Sequence, residues 1–364
     1  MPTREILQIV PHLPGTLDGV GDYALNLAKA LSARHGFNTT FLVAGKTAAN
    51  SKDDYRVISG LETADVNELA RTHEHVILHY VNYGYQARGV PFALRAFVKQ
   101  LRPQLRGRWV TTFHELYASS PPWNSAFWLR PFQVRIARDM IDAATSCVVS
   151  NPPVADAIHA FDPRKSIHLV PVMSNFGEPE LSDFRSASLH RWAICGGTGL
   201  IARSLQLFEK LMPLIPLAFA PEHLDVVGGR DDVSITVALD KLKDKMSVHH
   251  YPEVGVHLAT EVLREAAFGF IDYFGAGKVW PGMVLKSTAF AAFCAHGIVP
   301  ILSHREGSIA IEGAALPGPY FLNNNAAGLP TPEELHEVRR RFYDWYRAHA
   351  HSHRAAQIYA EALQ

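Results

Sequence analysis

The strongest constraint on this chain is an alternation. Short apolar runs trade places with amphipathic helical runs along most of its length. ILQIVPHL gives way to GVGDYALNLAKALSARH, in which Ala24, Leu27, Ala28 and Leu31 share one helix face, and then to TTFLVA. Strand, helix, strand is the unit of a parallel sheet, because parallel neighbours can be joined only by a crossover. The pattern continues through HVILHYVN, PFALRAFVKQL, RWVTTFHE, FQVRIARDMIDAA, TSCVVSN and IHLVPV. These strands are almost continuously apolar, as expected where helices cover both faces of a sheet.

The polar stretch SNFGEPELSDFRSASLH then interrupts the alternation, which restarts with RWAICGGTG, a helix from about Arg203, HLDVVGG, SVHHY, a helix over VHLATEVLREAA, FGFIDY and finally IVPILS. A chain of 364 residues, 48% hydrophobic, has enough apolar material for two such cores. The expectation is α/β: two tandem Rossmann-like domains, residues 1–178 and 179–340, with a C-terminal helix over 341–364 packing back across both. The tail is read as helical throughout, with Arg339, Arg340 and Arg341 on a solvated face.

Charge and cysteine content narrow the partners. Lys plus Arg equals Asp plus Glu at 35 each, which argues against a nucleic-acid binder and for a small-molecule partner. Cys147, Cys195 and Cys294 are far apart and form neither a disulfide set nor metal-ligand pairs, which suits a reducing compartment. MPTREILQIV enters a strand without a signal-peptide layout, and no apolar run reaches the roughly 18 residues that span a bilayer. Cytoplasmic residence is the expectation, with contact at the inner membrane surface left open.

In open parallel sheets ligands lie beyond the carboxyl ends of the strands, so the loops there hold the candidate chemistry. PGTLDGVGDYA brings Gly15, Gly19 and Gly21 to the start of a helix, with Asp22 behind them; its spacing is not that of a dinucleotide fingerprint, which excludes an NAD-linked reading. TFHELYASSPPW places His114, a group that titrates near neutrality, beside Glu115 at a strand end. CGGTGLIARS bares backbone at Gly196, Gly197 and Gly199, with Thr198 and Arg203 behind them, and Gly228 and Gly229 end the neighbouring strand. Finally, MVLKSTAFAAFCAHGIVPILS puts Lys286, Ser287 and Thr288 at the mouth of a small-residue helix, where free N–H groups and the helix dipole favour an anion; Lys278 precedes it. Capping by the helix's own hydroxyl is the alternative for Ser287. Tyr251 and Glu306, at two further strand ends, are candidates to line the same region.

The order of GVGDYALNLAKAL, TFHE, LVPVMSN, a glycine-rich start to the second domain and AAFCAHGIVPIL resembles the GT-B glycosyltransferases of the family 4 type over nearly the whole chain. That resemblance implies a nucleotide-sugar donor held mainly by the C-terminal domain, a hydroxyl acceptor (glycan, lipid-linked sugar or small molecule) by the N-terminal one, and no metal or cofactor. It implies donor contacts from Gly197, Thr198, Arg203, Gly229, Tyr251, Lys286, Ser287, Thr288 and Glu306, catalytic roles for His114, Glu115 and Asp22, and an acceptor-side loop at Gly19 and Gly21. The family's two donor-side glutamates are absent: alignment on Ala295, His296 and Gly297 sets Val284 and Ala292 in their places. Thr198 stands where one of the family's two phosphate-binding cations would be. The expected activity is sugar transfer to a hydroxyl; the alternatives are a sugar-nucleotide epimerase of the same architecture or a non-catalytic sugar-nucleotide or glycan binder.

Overall fold

The fold is described here from a computed structural model, for residues 4–12, 19–45, 55–118, 123–185, 187–274, 281–304, 308–311 and 313–364. The chain divides into two compact units. Unit 1 comprises Met1–Val170 and Ser352–Gln364, unit 2 Pro171–His351.

Unit 1 runs β1 (Arg4–Val10), α1 (Gly19–His35), β2 (Phe37–Val43), β3 (Arg56–Ser59), α2 (Val66–Thr72), β4 (His75–Tyr80), α3 (Asn82–Tyr85), α4 (Phe92–Leu101), β5 (Trp109–Phe113), α5 (Ser125–Ala143), β6 (Ser146–Val149), α6 (Pro152–Phe161) and β7 (Ser166–Leu169). Its strands form one parallel sheet in the order β3-β2-β1-β4-β5-β6-β7. Helix starts are set locally: Asp65 accepts from the N–H groups of Asn67 and Glu68, and Asn151 from that of Val154 ahead of two prolines.

The strand period of two sorts the side chains. Leu7, Ile9, Leu78, Tyr80, Trp109 and Phe113 point to the face covered by α4 and α5, where they join Phe97, Val98, Met140 and Ile141 in the main apolar core. Gln8, His79, Thr112 and His114 belong to the other side, near α1 and the last helix of the chain.

Unit 2 follows with β8 (Ser188–Gly196), α7 (Thr198–Leu211), β9 (His223–Gly228), α8 (Val233–Lys243), β10 (Ser247–Tyr251), α9 (Val256–Arg264), β11 (Ala266–Ile271), α10 (Thr288–Ala295), β12 (Val299–Leu302), β13 (Ala310–Ile311), β14 (Ala314–Ala315), β15 (Phe321–Asn323), β16 (Ala326–Gly328) and α11 (Leu335–His349). Its main sheet has the order β10-β9-β8-β11-β12-β15-β16, parallel as far as β15, with an antiparallel hairpin at the β16 edge. The aromatic centre is Trp192, Phe208, Phe219, Phe268 and Phe270, with Trp192 stacked on Phe268. β3 and the short pieces β13 to β16 are additions to the expected pattern; runs of two or three residues, as in β13 to β16, carry too little periodicity to show.

Two helices replace the single helical tail. α11 ends at a break at Ala350 and His351, and α12 (Ser352–Ala362) packs on α1 of unit 1. The passage between units also differs from the expected 178/179 and 340/341. Residues from Pro171 are held inside unit 2, where the N–H of Val172 donates to Leu285 O at 3.0 Å and that of Ser174 to the Tyr346 hydroxyl at 2.8 Å. The Tyr346 hydroxyl in turn donates to Glu178 Oε1 at 2.6 Å, and that of Tyr343 to Pro179 O at 3.0 Å, so the linker and α11 form one body. Arg339 is not on a solvated face. It is 3% exposed and donates to the carbonyls of Gly297 and Phe184, both at 2.6 Å, while Arg340 and Arg341 face outward.

Candidate functional site

In unit 1 the carboxyl ends of β1, β4 and β5 gather a polar group within an otherwise apolar interior. His114 follows β5, its N–H donating to Tyr80 O at 3.0 Å, and its ring stacks on that of His79 with centroids 5.6 Å apart. His79 is wholly buried. Its Nε2 faces Gln8 Oε1 at 2.8 Å and its Nδ1 faces His114 Nε2 at 3.3 Å. With the amide oxygen of Gln8 set toward it, Nε2 of His79 carries the proton, which leaves Nδ1 to accept the Nε2–H of His114. Burial, reinforced by the neighbouring His114, holds the His79 pKa well below the ordinary histidine value, so this ring stays neutral.

Around the pair sit three hydroxyls. Tyr359 of α12 lies 2.5 Å from Thr112 Oγ1 and 3.3 Å from the hydroxyl of Tyr23, whose ring meets both histidines edge-on. Burial pushes the Tyr23 phenol up to about 12, and that of Tyr359 well above its usual value, so both remain protonated. Asp22 is half-buried in the first turn of α1 beside buried Gly21, Gly19 opens that helix with open space where a Cβ would stand, and Glu115 is exposed just past His114. His114 was legible in the sequence. Gln8, His79, Tyr23 and Tyr359 were not; the available signal was a glutamine and a histidine inside strands that otherwise read as continuously apolar.

In unit 2 the carboxyl edge is built on glycine. β8 ends at Gly196 with φ +133° and β9 at Gly228 with φ +94°, backbone that L side chains rarely adopt, and a Cβ on Gly228 would stand 2.7 Å from the carbonyl oxygen of Gly196. The two loops are tied: the N–H of Arg230 donates to Thr198 Oγ1 at 3.0 Å, and Gly229 O accepts from the N–H of Glu253 at 3.0 Å. Glu253 has φ +49° and pairs with Arg230 at 3.5 Å. Exposed Gly197 is the N-cap of α7 and supplies no side chain, so the first turn of this helix presents N–H groups beside Thr198 and the exposed Arg230. Tyr251, half-buried, ends β10 at the same edge.

Two expected donor contacts are otherwise engaged. Arg203 donates from Nε and from a terminal nitrogen to Asp272 O at 2.9 and 2.6 Å, with its Nε 3.2 Å from the buried Asp272 carboxylate, which also accepts from Ser303 Oγ at 2.8 Å. Ser287 is 5% exposed and caps its own helix, its Oγ accepting from the N–H of Phe290 at 3.3 Å. Lys286 and Thr288 beside it are half-buried. Lys278 and Glu306, and Gly15 of the first loop, lie outside the described residues. Val284 and Ala292, which the resemblance set in the places of two glutamates, are fully buried. Among the described residues, no three of His, Cys, Asp or Glu gather in a way that could hold a metal ion.

The chain is similar in structure to several solved proteins. An α-glucosyltransferase in complex with UDP-glucose and DNA containing an abasic site is 11% identical, with a TM-score of 0.61 over 99% of both chains. WaaG, a glycosyltransferase involved in lipopolysaccharide biosynthesis, is 12% identical with a TM-score of 0.53, again over 99% of each chain. A putative UDP-N-acetylglucosamine 2-epimerase from Listeria monocytogenes is 11% identical with a TM-score of 0.55, covering 99% of this chain and 95% of its own. The fold is that of the GT-B glycosyltransferases. At this identity the likeness fixes the architecture and leaves the chemistry to the residues. No family model matches the sequence, nor does any curated protein. One GT-B neighbour holds DNA, so the fold itself does not exclude a nucleic-acid acceptor. Among the described residues no helix is long and apolar enough to cross a membrane.

Proposed function

We propose that this protein transfers a sugar from a nucleoside diphosphate sugar to a hydroxyl acceptor, with positive side chains and helix N–H groups meeting the departing diphosphate. The observation that carries the reading is the edge of unit 2, where the uncapped start of α7, the Gly196–Gly197 and Gly228–Gly229 turns and Arg230 bring backbone N–H groups and a cation to the carboxyl ends of two central strands. Such groups stabilise charge that develops on a leaving group. Thr198, Gly229, Tyr251, Lys286 and Thr288 complete the proposed donor site. Arg203 is given a different role, fixing Asp272 and through it the ends of β11 and β12. In unit 1, His114 is the proton-handling group, held in one tautomer by His79 and Gln8, with Asp22 and Glu115 as further acid/base candidates.

Titration calorimetry with UDP-, GDP- and ADP-sugars, followed by product analysis with hydroxyl acceptors, tests the reading. Binding and release of nucleoside diphosphate in step with glycosylated product supports transfer. A second reading, epimerisation of the donor, is favoured by the likeness to the putative 2-epimerase and by the buried Asp272 carboxylate at the strand edge; conversion of the donor sugar without acceptor would select it. Binding without turnover would indicate a sugar-nucleotide binder, and absence of binding would reject all three.

A further inference from the structure

The outer surface of unit 1 carries a patch that the proposed chemistry leaves unused. On α5, Trp128 and Phe132 stand one turn apart and are 69% and 53% exposed. The ring of Phe92, 54% exposed at the start of α4, lies 6.4 Å from that of Phe132, and Phe127 meets Trp128 edge-on at 5.4 Å. Tyr83 shares the surface, its hydroxyl bonded by Gln133 of α5, and Trp123 in the turn before α5 is 87% exposed. Scattered apolar side chains are ordinary on a surface; this many aromatic rings gathered around one helix mark an interaction site.

Charge names the partner. Over residues 83–138 the chain has nine Arg and Lys and a single acid, Glu115, although the whole sequence is balanced. Arg88, Lys99 and Arg135 are exposed in this segment, as are Arg130 and Arg138, whose guanidinium groups lie over the rings of Tyr117 and Phe161. The nearest carboxylate, Asp139, is shared by Arg95, Lys99 and Arg135, which leaves the neighbourhood positive; Asp142 follows a turn later. Overall neutrality therefore conceals a basic segment that coincides with the exposed aromatics.

A surface helix whose outer face mixes Trp and Phe with arginines fits the boundary between lipid headgroups and acyl chains, where rings sit below the headgroups and guanidinium groups reach their phosphates. A single-stranded nucleic acid would instead use rings presented singly as stacking platforms along a positive groove; here the rings meet edge to face in two pairs, Phe92 with Phe132 and Phe127 with Trp128. We propose that this face of unit 1, built on α5 and the start of α4, docks the protein on an anionic phospholipid surface. The inference is independent of the sugar-transfer reading.

The test is co-sedimentation of the full chain with vesicles of phosphatidylcholine alone and of phosphatidylcholine with one-third phosphatidylglycerol, at low and physiological salt. Binding should require the anionic lipid and weaken with salt. Arg88→Gln with Arg135→Gln should lower the partition coefficient by about fivefold per charge, and Trp128→Ala with Phe132→Ala by tenfold or more in order of magnitude. Circular dichroism and thermal unfolding serve as folding controls. Equal partition into both vesicle types, unaltered binding by the aromatic variant, capture by a single-stranded oligonucleotide in place of vesicles, or self-association abolished by the same variant would each overturn the proposal.

Discussion

His296 makes the stability of unit 2 depend on acid. It closes α10 ahead of Gly297, its Nδ1–H donates to Ala292 O at 2.7 Å, and its Nε2 is buried with no partner. A second proton would have to sit on that nitrogen without an acceptor, and Arg264 adds repulsion; burial is the larger effect and lowers the pKa from 6.5 to about 4. The unfolded chain therefore binds the proton more readily than the folded one, so stability is complete above pH 6.5 and falls as pH drops toward 4. At 1.36 kcal/mol per unit the loss is about 2 kcal/mol by pH 5 and about 3 kcal/mol at pH 4. His296→Leu removes the titration. Urea unfolding of parent and variant at pH 7 and pH 5, followed by circular dichroism, should show the stability difference moving by about 2 kcal/mol in favour of leucine. A difference that stays constant across that interval would refute the reasoning, because the orphaned nitrogen would not then be where the acid sensitivity resides.

Other substitutions have outcomes set by the same geometry. Gln8→Leu leaves the buried Nε2–H of His79 without an acceptor, costing about 1–3 kcal/mol, and should alter the pH profile of turnover through His114 while donor affinity, measured by calorimetry, is unchanged. Arg203→Ala strands the buried Asp272 carboxylate and should lower unit 2 stability by about 2 kcal/mol, discounted for the half-exposed arginine, with Asp272→Asn in the same chain recovering part of the loss. Ser287→Ala should cost about 1 kcal/mol of stability as a lost helix cap without changing nucleoside diphosphate binding, whereas Lys286→Ala should weaken that binding by about 1–3 kcal/mol if it meets a phosphate. Gly228→Ala should cost about 1–3 kcal/mol through its positive φ and the approach to Gly196 O, read as a lowered melting temperature.

The architecture was legible because strands buried on both faces and amphipathic helices differ in period over long stretches, as in ILQIVPHL against GVGDYALNLAKAL. The strand-end glycines at 196, 228 and 229 were legible for a related reason: a chain turning sharply at a sheet edge leaves few alternatives to glycine. What failed was anything set by a distant partner. The run Arg339 to Arg341 reads as one charged face, yet Arg339 turns inward because two carbonyls, one of them 155 residues away, are there to receive it. Gln8, His79 and Tyr359 are brought together from three remote segments, which no local pattern records.

The placement of α12 has a consequence for biosynthesis. The first unit to leave the ribosome is the last to be completed, since the hydroxyl that reaches Thr112 and Tyr23 arrives on residue 359, after all of the second unit has been made. Until then the histidine-bearing face of its sheet is covered by α1 without α12. A chain stopped before α12 would therefore carry the whole of the second unit beside a first one that lacks this helix.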